Sequence, residues 1–223
     1  MYGLSTENND LGAMRLRYGQ GSLRREDLAE DPLEQFQIWF DQAREAGVVE
    51  PNAMTLATVS ADGRPAARTV LLKGIVEGRF QFFTNYGSRK AAHLEAADGK
   101  ASLLFAWLAL ERQVQIRGVV EKVSREESEA YFRSRPRESQ IGAWASLQSE
   151  VAPDRGALEE SFAEAEGRFE GVEVPLPDFW GGYALRAQTI EFWQGRPGRL
   201  HDRFEYRVGD SEDASWEVKR LFP

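Results

Sequence analysis

Arg199, His201 and Arg203 stand at alternate positions just past a turn marked by Gly195, Pro197 and Gly198. Alternate side chains of a β-strand share a face. A strand over Arg199–Val208 would therefore set an imidazole between two guanidinium groups. Like charges on one face repel, so such a row is reasonable only if an anion lies against it. The imidazole, with a pKa near neutrality, is suited to moving a proton there.

Other segments carry the same kind of chemistry. In Arg68-Thr69-Val70-Leu71-Leu72-Lys73 a cation flanks each end of an apolar strand, and the two have opposite parity. They point to opposite faces unless a bulge intervenes; the plain alternative is a buried strand with solvated ends. In Thr84-Asn85-Tyr86-Gly87-Ser88-Arg89-Lys90 a strand ends and Ser88 caps a helix whose first turn is Arg89-Lys90. Cations are unfavourable at a helix N-terminus, unless a phosphate binds the free N–H groups there. Gln113, Gln115 and Arg117 share one strand face, where amides can read the edge of a heterocycle or simply meet solvent. Tyr131 and Arg135 are four apart and share a helix face. Ser139, beyond Pro136, would approach from a loop to complete a phosphate clamp; the plain alternative is a basic helix end favoured by the C-terminal dipole. Gln148-Ser149, Trp180 and Trp193 are further candidates. Trp39 and Trp107 read as core.

Composition limits the possibilities. The 223 residues carry a formal charge of −8, with no Cys and only two His, His93 and His201. Disulfides, thiolate nucleophiles and His- or Cys-built metal sites are excluded. An acidic chain is a poor general binder of nucleic acid or of anionic membrane. No apolar run reaches the length of a membrane span, and the N-terminus lacks the order of a signal peptide. These features predict a cytoplasmic protein with neither nucleic-acid nor membrane partners and no metal.

The elements that must position these residues follow from periodicity. Residues 1–13 read as a disordered tail, 14–25 as a basic, Gly-punctuated arm, and 14–223 as a single domain. Asp31-Pro32-Leu33-Glu34 opens a helix with Leu33, Phe36, Trp39, Phe40 and Ala43 on one face, and Gly47 ends it. Strands are predicted at Met54–Ser60 and Ala66–Lys73, joined by a hairpin over Ala61-Asp62-Gly63-Arg64. Further strands are predicted at Arg79–Thr84, Ala101–Ala109, Arg112–Ser124, Gly182–Trp193, Arg199–Val208 and Trp216–Leu221. Helices are predicted from Ser88 to Ala97, over Arg125–Arg135 up to Pro136, and over Asp154–Phe169. Many antiparallel strands with peripheral helices indicate a closed or nearly closed barrel.

Several ordered blocks resemble the pyridoxamine/pyridoxine 5′-phosphate oxidase family over residues 14–223. They are R-T-V-L-L-K (68–73), F-F-T-N-Y-G-S-R-K (82–90), L-E-R-Q-V (110–114), Y-F-R-S-R-P-R-E-S-Q-I-G-A-W (131–144), Q-S (148–149), F-W-G-G-Y (179–183), E-F-W-Q-G (191–195) and R-L-H-D-R (199–203). The resemblance implies a mainly β fold with peripheral helices: a split β-barrel, a Greek-key antiparallel FMN-binding barrel. It also implies a homodimer with FMN at the subunit interface.

For FMN the resemblance implies Arg68, Thr69, Val70, Leu71, Phe83, Thr84, Arg89, Lys90, Gln113, Gln148, Ser149, Trp193 and Arg203. For the substrate phosphate it implies Lys73, Tyr131, Arg135 and Ser139. Arg199, Leu200 and His201 would lie over the pyridine ring, Arg199 and His201 as the catalytic pair. Arg15 and Tyr18 would belong to a covering arm, although M-R-L-R-Y is a looser match there. The implied reaction is oxidation of pyridoxamine or pyridoxine 5′-phosphate by O2 to pyridoxal 5′-phosphate and H2O2, with ammonia from the amine. A non-catalytic flavin or pyridoxal-phosphate carrier on the same barrel would bind FMN without making peroxide. A split-barrel oxidoreductase for deazaflavin or haem would have no need of the Tyr131, Arg135 and Ser139 clamp.

Overall fold

The computed structural model describes residues 17–209 and 215–223. The expected tail at 1–13 and Arg15 lie outside the described residues. The first α-helix among the described residues is α1 (Pro32–Glu45), preceded by a 3-10 turn at Arg25–Asp27. The Asp31 carboxylate accepts from Leu33 N at 2.8 Å, and Pro32 occupies the first helical position, where a missing N–H costs nothing. Gly47, at φ 70°, lets the chain leave in a left-handed conformation.

Among the described residues nine strands follow: β1 (Ala53–Val59), β2 (Pro65–Leu71), β3 (Gly74–Val76), β4 (Arg79–Asn85), β5 (Lys100–Trp107), β6 (Arg112–Lys122), β7 (Trp180–Gln194), β8 (Asp202–Val208) and β9 (Trp216–Arg220). They pair antiparallel in the order β2-β1-β5-β6-β7-β4-β3, with β8 and β9 branching from β7. The two ends of that order, β2 and β3, are joined by Leu72 and Lys73 alone. Lys73 N donates to Gln81 O on β4 at 2.9 Å, so the first strand runs directly into the last and the sheet curls onto itself.

The split arises at β7. One edge of this 15-residue strand pairs with β6 along most of its length. The other edge pairs with β4 through residues 180–186 and with β8 through residues 189–194. Between these halves β7 carries one extra residue, Gln188, bulged opposite Arg117/Gly118 of β6. A Cβ on Gly118 would lie 2.0 Å from Arg186 O, so only glycine permits this approach. The fold is therefore a curled, split, mainly antiparallel barrel, as expected.

α1 plugs the barrel. Phe36 packs edge-on against Phe80 and Phe105 at 5.2 and 5.0 Å, and Trp39 against Phe192 at 5.3 Å. Trp39 and Trp107 are core residues, 3% and 2% exposed. A second apolar cluster joins the remaining helices: Phe132 on α3 (Arg125–Ser134), Ile141 on α4 (Arg137–Ala145), Ala165 on α5 (Arg155–Arg168), and Trp180 of β7. α2 (Arg89–Ala96) follows β4 directly.

Three local expectations are corrected. The last-but-one strand begins at Asp202, not at Arg199, because Pro197–Arg199 form a 3-10 turn with Gly198 and Arg199 at φ 66° and 62°. Two successive left-handed residues cannot start a pleated strand, so Arg199, His201 and Arg203 do not form a single strand face. Ser139 lies on α4 rather than in a loop, because Pro136 breaks one helix and immediately precedes another. The chain after β2 adds the short strand β3, which the turn at Glu77-Gly78 pairs with β4.

Candidate active site

A cavity of about 490 Å³ opens between β2, β4, α3, α4 and the start of β7. Thr69, Val70 and Leu71 of β2, then Lys73, line one wall, and Phe83 and Thr84 of β4 another. Lys90 enters from the first turn of α2, Tyr131 and Arg135 from α3 and its C-terminus, and Ser139 from α4. Gln148 and Trp180 complete it. Residues expected to serve a cofactor and residues expected to clamp a substrate phosphate thus share one space.

The cations here lack counter-ions. Lys90 Nζ donates to neutral oxygens only: Gln148 Oε1 at 2.5 Å, Thr84 Oγ1 at 3.0 Å and Ser88 Oγ at 3.4 Å. Burial, and secondarily the charge of Arg68, pull its pKa down to about 8. Arg68 turns toward β1, donating to Leu56 O at 2.9 Å and Thr58 Oγ1 at 2.7 Å, and burial lowers its pKa too. Arg135 stacks on Trp180 with 4.6 Å to the ring centroid, and its buried NH1 has no hydrogen-bond partner. Burial lowers its pKa. Among the described residues, none of Arg68, Lys73, Arg89, Lys90 and Arg135 makes an ion pair. At the mouth of α2, Arg89 N donates to Ser149 Oγ at 3.2 Å, and Ser149 is held at φ 79°.

An aromatic wall backs these cations. Phe83 stacks on Tyr131 at 3.9 Å and on Trp180 at 5.7 Å, with interplanar angles of 21° and 15°. Trp180, a candidate from its turn in the sequence, was not among the residues the family resemblance assigns to a ligand, and a Trp in the F-W-G-G-Y block reads equally well as core.

A second cavity, of about 290 Å³, lies on the outer face of β5, β6, β7 and β8. Gln113, Gln115, Glu191, Trp193 and Arg203 line it, together with Leu104 and Pro223. It shares no lining residue with the first. The Gln113, Gln115 and Arg117 face is confirmed, because Val114 and Ile116 point into the core. Here the cations are paired. Arg203 Nε donates to Glu191 Oε1 at 2.7 Å, and its NH1 to Phe222 O at 2.9 Å. Asp202 holds both Arg220 and Arg196, at 2.9 and 3.4 Å. Glu191 was not among the expected residues, because its link to Arg203 depends on the β7–β8 register.

His201 sits beside this cavity, 4.5 Å from Trp193 between ring centroids. Its Nδ1 accepts from Arg196 N at 3.1 Å, so the ring proton resides on Nε2. Burial, then Arg199 and Arg203, lower its pKa and keep it neutral at pH 7. Tyr18 packs edge-on against both His201 and Trp193, at 5.6 and 5.9 Å. Arg199 and Leu200 stand on the exposed turn and line neither cavity. Within one chain, then, the Arg199–His201 turn is not brought to Lys73, Tyr131, Arg135 and Ser139.

Comparison with known proteins decides the family. The profile described as "Pyridoxamine 5'-phosphate oxidase" matches residues 40–169, and that of the "Pyridoxine 5'-phosphate oxidase C-terminal dimerisation region" matches residues 180–223. The chain belongs to the pyridoxamine 5′-phosphate oxidase family. Membership makes it an enzyme of the oxidoreductase class. It is 53% identical over 214 residues to a pyridoxine/pyridoxamine 5′-phosphate oxidase of Crocosphaera subtropica, covering 96% of this chain and 100% of that one. It is 54% identical over 213 residues to the protein of the same description in Cupriavidus pinatubonensis, covering 96% and 99%. Among solved structures, PhzG from Burkholderia lata, in complex with tetrahydrophenazine-1-carboxylic acid, superposes with a TM-score of 0.83. Its identity is 30%, with 92% of this chain and 100% of that one covered. A pyridoxamine 5′-phosphate oxidase-related, FMN-binding protein from Nostoc punctiforme shares the fold, with TM-score 0.67, 19% identity, and 88% and 100% covered. No helix among the described residues is long and apolar enough to cross a membrane.

Proposed function

We propose that the protein oxidises pyridoxamine 5′-phosphate and pyridoxine 5′-phosphate with FMN and O2, giving pyridoxal 5′-phosphate and H2O2, and ammonia from the amine. One observation carries this reading. Lys73, Lys90 and Arg135 converge on a single cavity with no carboxylate partner, and a buried Arg135 NH1 lacks any acceptor. A buried donor without a partner is costly, and a phosphate oxygen satisfies it with a charge-assisted bond.

The residues present fit FMN. Lys90, Arg68, Arg89, Thr84, Gln148 and Ser149 would hold its phosphate end at the mouth of α2, where the helix dipole adds to the attraction. Thr69, Val70, Leu71 and Phe83 would contact it from the barrel wall. FMN, when bound, would supply the two-electron acceptor for the substrate carbon, with O2 as the final oxidant. Lys73, Tyr131, Arg135 and Ser139 clamp the substrate phosphate, which pins the reacting carbon by remote binding energy. His201, neutral with its proton on Nε2, and Arg199 orient the pyridine ring and assist proton movement. Tyr18 shields that end from water.

The two cavities share no residue, and of the residues proposed to touch FMN and substrate some line one and some the other. A homodimer that sets the Gln113, Trp193 and Arg203 face of one protomer against the Lys90 and Arg135 cavity of its partner completes the site. The match of residues 180–223 to a dimerisation region supports this arrangement.

The test is the absorption spectrum of the purified protein reconstituted with FMN. Flavin bands should bleach anaerobically when pyridoxamine 5′-phosphate is added and return with air, with peroxide formed. A protein that takes up no FMN, or holds it without bleaching, overturns the reading.

A further inference from the structure

Glu111 belongs to the L-E-R-Q-V block, yet the function proposed above gives it no task. It occupies an unfavourable conformation, φ 54° and ψ 39°, at the end of the 3-10 turn Leu108–Leu110. Left-handed backbone is disfavoured for a residue with a side chain of this size, and glycine or asparagine would adopt it readily. Strain of this kind is retained where the side chain has work that a glycine cannot do.

The side chain's contacts identify that work. Glu111 Oε2 accepts from two successive backbone amides of the N-terminal arm, Gly19 N at 2.9 Å and Gln20 N at 3.0 Å. Tyr18, the residue just before them, is the one that packs against His201 and Trp193. Glu111's own backbone is anchored on the opposite side, because its carbonyl accepts from Gly195 N at 2.7 Å and from Gln194 Nε2 at 3.2 Å. A Cβ on Gly195 would lie 2.9 Å from Glu111 Cβ and 3.1 Å from Tyr18 Cδ1, so the three pieces meet at a point that tolerates no further atom. The rest of the arm is tied separately, by Arg196 NH1 to Gly21 O at 2.8 Å and by Leu23 N to Asp202 Oδ2 at 3.1 Å. Glu111 therefore governs the Tyr18 end alone.

We propose that Glu111 is a positioning residue for the oxidase reaction: its carboxylate latches the arm through Gly19 and Gln20 and so seats Tyr18 over His201 and Trp193. The role rests on the function proposed above, but the latch itself can be measured without turnover.

Glu111→Gly removes the carboxylate and relieves the left-handed strain at the same position. Amide exchange at Gly19 and Gln20 should accelerate about tenfold or more, as charge-assisted bonds to the two N–H groups are lost. KM for pyridoxamine 5′-phosphate should rise about tenfold with kcat little changed, since a uniform binding contribution is lost. The urea midpoint should hold or rise. Glu111→Gln keeps an acceptor oxygen at the same reach and should restore both slow exchange and low KM. Glu111→Asn, which also accepts the left-handed conformation but falls short of the arm, should behave as the glycine variant does.

Unchanged exchange in the glycine and asparagine variants overturns the latch. Faster exchange with unchanged KM removes its part in positioning, as does a glutamine variant no better than glycine. A wild-type enzyme that shows the slow amides but no turnover refutes the function proposed above and leaves the latch standing.

Discussion

Two regions of this molecule concentrate arginine and lysine, and they treat the charge in opposite ways. Around the larger cavity, Lys90 and Arg135 are half-buried against neutral groups, and their pKa values are pressed down. Around the smaller one, Glu191 neutralises Arg203 within the chain, and the Glu191 hydrogen bond raises the pKa of Arg203. The first region is short of negative charge and needs a ligand to supply it. The second already has its lining cation balanced by Glu191. A basic row in a sequence is thus not by itself an anion site. What matters is whether the fold has already provided the anion.

The contrast breaks most visibly at Arg135. Arg135→Met keeps the aliphatic stem over Trp180 but removes the charge. kcat/KM for pyridoxamine 5′-phosphate should fall about 100-fold, the value of one or two charged hydrogen bonds at ~1.5–3 kcal/mol each. The ligand-free protein should lose no stability, because an unpartnered buried cation has gone. A drop in the urea midpoint with kinetics intact would reverse the assignment of this region.

Glu191→Gln should show the opposite signature. Arg203 loses its charged partner but is itself partly exposed, so the ligand-free protein should lose about 1–2 kcal/mol. Equilibrium urea unfolding of the two variants side by side distinguishes a balanced region from an unbalanced one. Equal stability losses in both would erase the distinction.

The smallest effect is one of pH. Lys90 in the ligand-free protein titrates near 8, and a phosphate favours its charged form, raising its pKa in the complex. FMN affinity should therefore be level below pH 8 and weaken by up to about tenfold per unit above it. Lys90→Met should bind FMN more weakly throughout and lose this slope. The same slope in the variant would place the titration elsewhere.

Much of this was legible in the chain. The Asp31-Pro32 start of α1 and the hairpin at Ala61–Arg64 are local signals, and they are found where they were read. The same holds for the alternation that turns Val114 and Ile116 inward and Gln113 and Gln115 outward. The placing of Arg89 and Lys90 in the first turn of α2 was also legible, because the turn residues before Ser88 are a local signal. Ser139 was found as a residue but not as a helical one: a Pro that ends α3 looks the same in sequence as a Pro that precedes α4. Arg199–Val208 failed as one strand because the left-handed conformation of Arg199 is unusual for that side chain, and nothing local announces it.

By itself the sequence determined the antiparallel, helix-capped architecture, the family blocks and the residue types able to hold phosphate, because periodicity, capping and turn chemistry act over a few residues. Only the tertiary structure decided which cations remain unpaired. Glu191 reaches Arg203 through the register of β7 and β8, and Asp202 reaches Arg196 and Arg220 across a turn and a strand pair. Whether a charge is satisfied depends on what stands within a few ångströms of it, and that is set by strand register and burial rather than by neighbours along the chain.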